Sequence, residues 1–489
     1  MNSIRLERIS VVLLIVGFVV LRPASGQEGP YPTTSPGANT PMLANQIQTA
    51  PNSVMPAVGL TAVAETPNLL GPPSNAQSTV VTADFNKSLT DAVPEIKLTS
   101  FKVGCVTVKP YGILWSNMKY MTSRTYPESG QFILWVDSEE VQGENAFVVD
   151  ARPTRIGMDL TGPTYDILGG LTGGGKVEVD FLGMFSTENQ PTVRLRHIYW
   201  EAKNKYWRFL TGQTWDVVSP LLPHTVNFSV NWGVGNIGFR RTQFRVERYF
   251  HLPNGNIWTV ELALAENVIQ DFRTGSIAAG VVRETGNWPM LQGRTALTFH
   301  NRHLAGPGTV GVSGHIGETG FDFDQGFPAN PALGPEDDAR FRTWSLNTDV
   351  KLPLTERLSF QGELFTGSNL SNVLGGVVQG VCPCKREAIR ATGGWAEVSY
   401  KINSCLRTNV GFGIDDPLDG DSLIGRTYNR VVYGNVFLDI TDNLETGFEV
   451  SSWRTGYHNE TSQPGYVPID SASAPGKANV LEWTVRYHF

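Results

Sequence analysis

The amino-acid sequence predicts an all-β fold, namely a 16-stranded antiparallel transmembrane β-barrel with short periplasmic turns and long external loops. Three observations support this prediction. Segments of about ten residues in which apolar and polar residues alternate recur from about residue 103 to the C-terminus, and 16 of them can be counted. After residue 27, no stretch approaches the ~18 apolar residues that a membrane helix needs. Long and short connections between the segments also alternate through most of the chain.

The C-terminal stretch LEWTVRYHF shows the alternation clearly. Successive side chains of a strand point to opposite faces. One face carries Leu481, Trp483, Val485, Tyr487 and Phe489, and the other carries Glu482, Thr484, Arg486 and His488. A membrane barrel turns the apolar face to lipid, and its last strand pairs with its first because lipid tolerates no open sheet edge. A secreted soluble β-rich binding protein, which would bury the apolar face, is the alternative.

Connection lengths bear on this choice. Short turns are expected at 203–205, 353–356, 401–404 and 441–443, whereas long connections include 214–236, 368–388 and 454–478. In bacterial outer-membrane barrels, short turns face the periplasm and long loops face the outside. Soluble β-sandwiches have no reason to sort connections in this way, so the pattern favours a barrel in the bacterial outer membrane.

The N-terminal part of the chain differs in composition from the rest. Residues 1–26 have the pattern of a signal peptide, since Arg5 and Arg8 precede an apolar run at 9–21 and small residues follow at 24–26. A membrane anchor is the alternative, although the run is short for a span. Residues 27–100 are rich in Pro, Thr and Asn without apolar periodicity, which predicts a disordered periplasmic linker. The barrel then occupies 101–489.

Composition narrows the possible partners and cofactors. The 489 residues carry a net charge of −7, which argues against nucleic acid as a partner. Cys382 and Cys384 favour a loop disulfide or free thiols over zinc, because no second pair or nearby His accompanies them. Four acidic residues share one connection: Asp415, Asp416, Asp419 and Asp421. Calcium is an alternative there, but a solvated acidic loop tip is favoured. We therefore expect no metal and no cofactor.

A barrel of 16 strands is too wide for its own side chains to fill, so a water-filled lumen is expected. Alternation places several basic and polar side chains inward: Arg194, Arg196, Arg241, Gln243 and Arg245, with Arg155 as a weaker member. Guanidinium is permanently charged and donates two parallel hydrogen bonds to a carboxylate or phosphate group. The pattern therefore predicts anion-favouring diffusion past these arginines. The alternative is that they pair with lumen acids such as Glu201, Glu247 and Glu261 and only stiffen the wall.

The connection from Thr214 to Asn236 is unusually apolar for an external loop. Exposed on the surface, it would form a sticky patch. Folded into the lumen, it would pack on the wall and narrow the channel. We therefore expect Trp215, Asp216 and Trp232 to lie at a constriction.

Four stretches carry a family resemblance: RIGMDLTGP, VRLRHIYWE, WRFLTGQTWDVVSP and GFRRTQFRVERYF. They resemble the DcaP-like porins, a branch near the phosphate-selective O/P porins of Gram-negative outer membranes. The resemblance implies a homotrimer among outer-membrane lipid and lipopolysaccharide, with the third external loop, 214–236, as the constriction. It also implies small organic acids or phosphate-like anions as solutes. The N-terminal coiled coil usual in that family is replaced here by the Pro-rich linker.

No enzymatic activity is expected from the sequence. The stretch from Gly311 to Gly314 fails the G-x-S-x-G pattern of a hydrolase. A Ser/His pair brought together in space would still allow a barrel phospholipase, which stays an alternative.

Overall fold

The computed structural model describes residues 100–126, 132–139, 144–183, 190–267, 281–285, 287–323, 332–458 and 474–489. The predicted signal peptide (1–26) and the predicted linker (27–100), apart from its last residue, lie outside these ranges. Within the described ranges, no helix is long and apolar enough to cross a membrane.

Sixteen strands form the wall of one antiparallel sheet. In chain order they are β1 (Val106–Met121), β2 (Ala146–Asp150 and Arg155–Tyr165), β3 (Leu171–Asp180), β4 (Arg194–Lys203), β5 (Trp207–Trp215), β6 (Arg240–His251), β7 (Ile257–Ala265), β8 (Val281–Thr285 and Met290–Phe299), β9 (Gly308–Phe323), β10 (Glu336–Pro353), β11 (Leu358–Ser368), β12 (Arg390–Lys401), β13 (Leu406–Pro417), β14 (Arg426–Asp439), β15 (Leu444–Tyr457) and β16 (Gly476–His488). Both segments of β2 pair with β1, and both segments of β8 pair with β9. Each strand pairs with the next, and β16 returns to β1, so the predicted fold class and strand number are confirmed.

Short elements accompany the wall strands. The two-stranded pairings are Phe101–Val103 with the start of β1, Thr125–Tyr126 with Trp135–Val136, and Val381–Cys382 with Glu387–Ala388. Single turns of 3-10 helix occur at Pro253–Gly255, Leu370–Val373 and Asp419–Asp421.

The closing seam joins β1 to β16. Its register begins with Ile113 opposite His488 and continues toward the outer ends of both strands. Next to it, Phe489 and Gly112 exchange both backbone hydrogen bonds at 3.1 Å. A β-carbon on Gly112 would lie 2.2 Å from Cζ of Phe489, so the terminal ring packs directly against the backbone of this glycine. The seam leaves no open sheet edge, as lipid requires.

The outer face of the barrel is an apolar band. On β6, Phe244 is 69 % exposed, whereas its neighbours Gln243 and Arg245 are buried. On β11, Leu364 is 62 % exposed and Glu363 is buried. A water-soluble protein does not expose such side chains on strand after strand, whereas lipid solvates them. The structure therefore excludes the soluble β-rich alternative and places the protein in the bacterial outer membrane.

Connections at the two ends of the barrel differ in length, as predicted. Short turns include 204–206, 354–357, 402–405 and 440–443, and long connections include 122–145, 216–239, 369–389 and 458–475. Tyr206 is the last residue of the first of these turns and Trp207 follows it, and the Arg248 guanidinium lies over both rings on the outer face. Such amphipathic side chains are typical of the membrane–water boundary.

Candidate solute pathway through the barrel

Loop 3, residues 216–239 between β5 and β6, lies inside the barrel. Its buried apolar side chains are Val217, Val218, Val226, Phe228, Trp232, Val234 and Ile237. Its hydrogen bonds reach successive wall strands in chain order: Val217 to Gln292 on β8, Leu221 to Glu363 on β11, His224 to Glu397 on β12, Val226 to Glu449 on β15, and Asn227 to Glu482 on β16. Residues 217–228 therefore follow the inner wall as a partial ring, which we call the collar.

Glycines allow the rest of loop 3 to dock on the wall. Gly235 has a φ of +111°, and a β-carbon there would lie 2.1 Å from the carbonyl oxygen of Gly394 on β12. A β-carbon on Gly413 of β13 would lie 2.3 Å from the carbonyl oxygen of Val234. Loop and wall therefore meet backbone to backbone, which a side chain at these positions would prevent.

Two further loops fold inward, although neither is expected from the sequence pattern. Loop 6, residues 369–389 between β11 and β12, buries its apolar side chains, as do residues 132–136 of loop 1 (122–145). One apolar cluster joins the three loops to the wall: Trp115, Phe132, Leu134, Trp135, Leu182, Phe228, Trp232, Leu374, Val377 and Val378. The signal in loop 6 was the run LSNVLGGVVQGV at 370–381, which is as apolar as loop 3.

Asp415 at the end of β13 fixes loop 6. Its carboxylate accepts the backbone N–H of Gly376 at 3.1 Å and of Val377 at 2.9 Å, and it is fully buried. The expectation of a solvated acidic tip is therefore wrong for Asp415, because β13 extends further than predicted and turns this carboxylate toward loop 6. Asp421 binds the Arg390 guanidinium. Among the described residues, no three His, Cys, Asp or Glu side chains form a group that could hold a metal ion.

A cavity of about 250 Å³ lies between loop 3 and the wall of β6 and β7. Its lining includes Trp215, Asp216 and Trp232, together with Arg245 and Glu261. The residues expected at a constriction therefore share one cavity. Ligand pockets for drug-sized molecules start at about 300 Å³, so this space suits only a small solute.

Asp216 is the centre of a buried polar network. One carboxylate oxygen lies 2.7 Å from Nε of Arg241 and accepts a hydrogen bond from Gln292, also at 2.7 Å. The other oxygen accepts the N–H of Phe239 at 2.9 Å. Arg241 also donates to the carbonyl of Asn372 in loop 6 at 2.8 Å. Arg241 therefore ties loop 3 to loop 6 and is itself buried.

Arg194 and Arg196 bind carboxylates on the neighbouring strand β3. Arg194 forms a two-pronged pair with Asp180 at 2.9 and 2.6 Å. Arg196 donates to Glu178 at 2.6 Å and to Asp180 at 2.9 Å. Both arginines are thus inward, as the alternation indicated, but their charges are paired.

Gln243 and Arg245 support the point where loop 3 leaves β5. The Gln243 amide donates to the carbonyl of Trp215 at 3.0 Å and accepts from Nε of Arg245 at 2.9 Å. Arg245 also donates to the carbonyl of Trp215 and lies 3.4 Å from Glu247 and 3.9 Å from Glu261.

The geometry of these four arginines therefore matches the alternative of ion pairing. Two of the expected partners, Glu247 and Glu261, lie near Arg245. The third, Glu201, binds Lys203 and Arg208 instead. The contribution of the arginines to ion selectivity stays a prediction.

Two arginines carry positive charge that no carboxylate balances directly. Arg240 is 3 % exposed and stacks over the rings of Trp215 at 4.5 Å and Phe239 at 5.1 Å. Its Nε and Nη1 have no hydrogen-bond partner among the described residues. Arg155 stacks over the ring of Trp115 at 5.0 Å, and its Nε also lacks a partner in the described part of the chain.

Arg155 and Arg240 belong to one basic cluster with the ion-paired residues of β3 and β4. The cluster contains the arginines Arg155, Arg194, Arg196 and Arg240 and the carboxylates Glu178 and Asp180. Four guanidinium groups and two carboxylates leave an excess of two positive charges. Buried charge without a partner is costly, and an anion at this place offsets that cost.

The four cysteines fall into two groups. The structure joins Cys382 and Cys384 by a disulfide at the tip of loop 6, which is the pairing that the sequence favoured together with free thiols. Cys105 and Cys405 are free and exposed.

A closed barrel of 16 strands with an apolar outer face and an inward loop between β5 and β6 has the fold of an outer-membrane porin. The outer membrane channel DcaP of Acinetobacter baumannii matches with a TM-score of 0.61 at 17% identity, over 80% of this chain and 100% of that chain. OmpF of Salmonella typhi, in complex with daunomycin, gives a TM-score of 0.45 at 11% identity, over 80% and 100%. OprB of Pseudomonas putida gives 0.45 at 10%, over 78% and 94%.

The comparisons with sequences add no family. No family model matches the chain, and no curated protein matches it. The structural similarity supports the porin-like part of the resemblance found in the sequence, but not its phosphate-selective O/P branch.

Proposed function

We propose that this protein is a porin that gives passive, anion-favouring diffusion of small hydrophilic solutes, such as small organic acids or phosphate-like anions. The basic cluster supports this proposal most directly, because it combines excess positive charge with N–H groups that lack a partner. Selectivity in a channel follows from the charged groups that line its narrowest part. The excess positive charge attracts an anion through the field that it creates, whereas it gives a neutral solute no advantage and repels a cation.

Reversal potential in planar bilayers under a KCl gradient tests the proposal. We expect the native protein to prefer chloride. In Arg240→Gln we expect the chloride-to-potassium permeability ratio to fall at least about twofold, because a lumen cation is lost. Arg248→Gln is the matched control, since Arg248 lies on the same strand but on the outer face. A cation preference in the native protein would reject the proposal and leave the fold untouched.

The proposal is for a channel without enzymatic activity. One Ser/His pair is present among the described residues, since Nδ1 of His315 lies 2.7 Å from the Ser345 hydroxyl. Both residues are buried, however, and the second ring nitrogen of His315 is held by Thr343 at 2.9 Å, which favours a role in the wall over catalysis. Release of fatty acid from phospholipid vesicles by the folded protein would contradict this part of the proposal.

We further propose a homotrimer in outer-membrane lipid and lipopolysaccharide. The resemblance to the DcaP-like porins supports this assembly. Light scattering of the detergent-purified protein measures it directly. After detergent correction, a particle mass near that of one chain (53.6 kDa before removal of the predicted signal peptide) would show a monomer instead.

A further inference from the structure

Positive charge collects at one part of the short-turn end of the barrel, which faces the periplasm. Three short turns join β4 to β5, β6 to β7 and β8 to β9, and they comprise 204–206, 252–256 and 300–307. Their basic and titratable side chains are Lys205, His300, Arg302 and His303. None of the three turns contains Asp or Glu, although the whole chain carries a net charge of −7.

Arg248 on β6 adds a cation on the outer face next to the first of these turns. Its guanidinium lies 5.5 Å from the ring centroid of Tyr206, 4.5 Å from that of Trp207 and 4.9 Å from that of Phe250. Nζ of Lys205 lies 4.8 Å from the same Tyr206 ring. Two cations therefore share one aromatic surface at the membrane–water boundary, and we call Lys205 and Arg248 the basic rim.

The basic rim has unused capacity for an anion. Nη1 of Arg248 donates to the carbonyl of Tyr206 at 3.2 Å, which is the one hydrogen bond of this guanidinium among the described residues. In the same ranges, no carboxylate lies within 4.0 Å of Arg248 or Lys205. A guanidinium has five N–H donors, so most of those of Arg248 can serve an acceptor at the outer surface.

An apolar groove of about 570 Å³ lies on the outer face of β4–β8, beside the basic rim. Its outward side chains are Trp200, Phe209, Thr211, Phe244, Val246, Leu262, Leu264 and Leu291. Val246 is two positions from Arg248 on the same face of β6, which is about 7 Å along the strand. The groove and the basic rim are therefore continuous.

We propose that the groove and the basic rim together bind an anionic phospholipid of the membrane leaflet that faces the periplasm. Its acyl chain lies in the groove, and its phosphate accepts hydrogen bonds from Arg248 with Lys205 as a second cation. Arginine presents paired N–H groups that match the oxygens of a phosphate. The site depends on the position of the barrel in the outer membrane and not on the passage of solutes through its lumen.

Charge favours a lipid over a second copy of this chain as the occupant of the groove. An anionic headgroup supplies a phosphate at the membrane surface, where the basic rim lies, and each Lys or Arg there strengthens the attraction. A second copy seated on the groove would cover Arg248, and a covered cation without a carboxylate partner is costly.

Native mass spectrometry of the full-length folded protein in detergent tests this inference. The probes are phosphatidylglycerol, which is anionic, and phosphatidylcholine with the same acyl chains, which is zwitterionic. We expect the native protein to bind phosphatidylglycerol more tightly. Arg248→Gln should weaken phosphatidylglycerol binding about fivefold, the usual contribution of one Lys or Arg near an anionic surface, and should change phosphatidylcholine binding less.

Arg357→Gln is the matched control, because Arg357 is an exposed arginine in the periplasmic turn 354–357, where Glu356 precedes it. This variant should bind both lipids like the native protein. Equal binding of the two lipids by the native protein, native binding in Arg248→Gln, or the same loss in Arg357→Gln would overturn the inference.

Val246→Trp tests the groove separately from the charge. The larger apolar side chain fills the groove while the outer face stays apolar, so both lipids should bind more weakly and their ratio should stay native. If this variant instead lowers the mass of the oligomer and binds both lipids like the native protein, a second copy occupies the groove and the inference fails. Because these experiments measure no current, their failure leaves the proposed channel function intact.

Discussion

In the basic half of the lumen, the inner wall of β2–β6, arginine meets carboxylate: Arg194 and Arg196 share Asp180. In the acidic half, the inner wall of β11–β16, Glu363 and Glu449 instead meet the backbone of loop 3. Charge in the basic half is paired between wall strands and leaves a positive excess. In the acidic half, Glu363, Glu397 and Glu449 are instead satisfied by hydrogen bonds from the collar.

This difference assigns separate roles to the two halves. An arginine excess attracts an anion, whereas a carboxylate whose oxygens accept hydrogen bonds from the loop fixes the loop. We therefore expect both halves to set the potential across the lumen and the basic half to interact with an anionic solute. Changes in the two halves should have different signatures.

Gly235→Ala should have the largest effect, because it should detach loop 3 from the wall of the acidic half. A β-carbon there would lie 2.1 Å from the carbonyl oxygen of Gly394, at a φ of +111°. The loop must leave the wall, and we expect a loss of about 4 kcal/mol in the stability of its docked state. Hydrogen exchange of 229–239 measures this loss. Gly420→Ala is the control, since its β-carbon would meet nothing within 4 Å; equal exchange in both variants would contradict the docking argument.

Asp180→Asn should have the next largest effect, because it removes the central ion pairs of the basic half. It leaves the guanidinium groups of Arg194, which is half-buried, and Arg196, which is buried, without their shared carboxylate. Removing one partner of a buried pair costs about 3 kcal/mol. We expect a lower midpoint of urea unfolding in detergent together with a stronger chloride preference. An unchanged reversal potential would show that the cluster does not face the solute.

The disulfide at the tip of loop 6 belongs to neither half of the lumen wall, so its removal tests whether changes elsewhere affect ion preference. Cys382→Ser with Cys384→Ser opens a ring of three residues at the tip of loop 6. Closing so short a ring contributes about 1.5 kcal/mol at most. Exchange in 380–389 should rise while the chloride preference stays native. A change in ion preference would place the tip of loop 6 in the solute path.

The smallest expected effect is at Asp421, between β13 and β14. The hydrogen bond from Arg390 holds the pKa of Asp421 below its usual value of 3.8. A carboxyl group with a lowered pKa in the folded state contributes stability above pH 3.8, and this contribution is lost as the pH falls through the lower folded value. Because Arg390 is exposed, the effect is small. Asp421→Asn should speed exchange in 418–425 slightly at pH 7 and less at pH 3, and an equal effect at both would contradict this assignment.

The number of strands, the residues of the outer face and the alternation of short and long connections could be predicted from the sequence, because each depends on a local pattern. Alternation at Phe244 or Leu364 needs no knowledge of the neighbouring strand. The apolar character of loop 3 likewise indicated a buried position, and loop 6 carried the same signal.

The partners of the arginines could not be predicted in this way. That Arg194 meets Asp180 depends on the register between β3 and β4, which alternation does not contain. Arg240 was missed for another reason. Strict alternation puts it on the outer face with Phe244, but at the first position of β6 its side chain turns back onto Trp215. At the end of a strand next to an inward loop, alternation therefore does not predict which face a side chain occupies.

The most direct test compares one residue from each half in the same bilayer experiment under a KCl gradient. Arg240→Gln should lower the chloride-to-potassium permeability ratio at least about twofold with little change in open time. Glu449→Gln, which removes the carboxylate that accepts the N–H of Val226, should change the permeability ratio far less. A native channel that prefers potassium, or equal shifts of the ratio in both variants, would contradict the assignment of solute binding to the basic half and loop attachment to the acidic half.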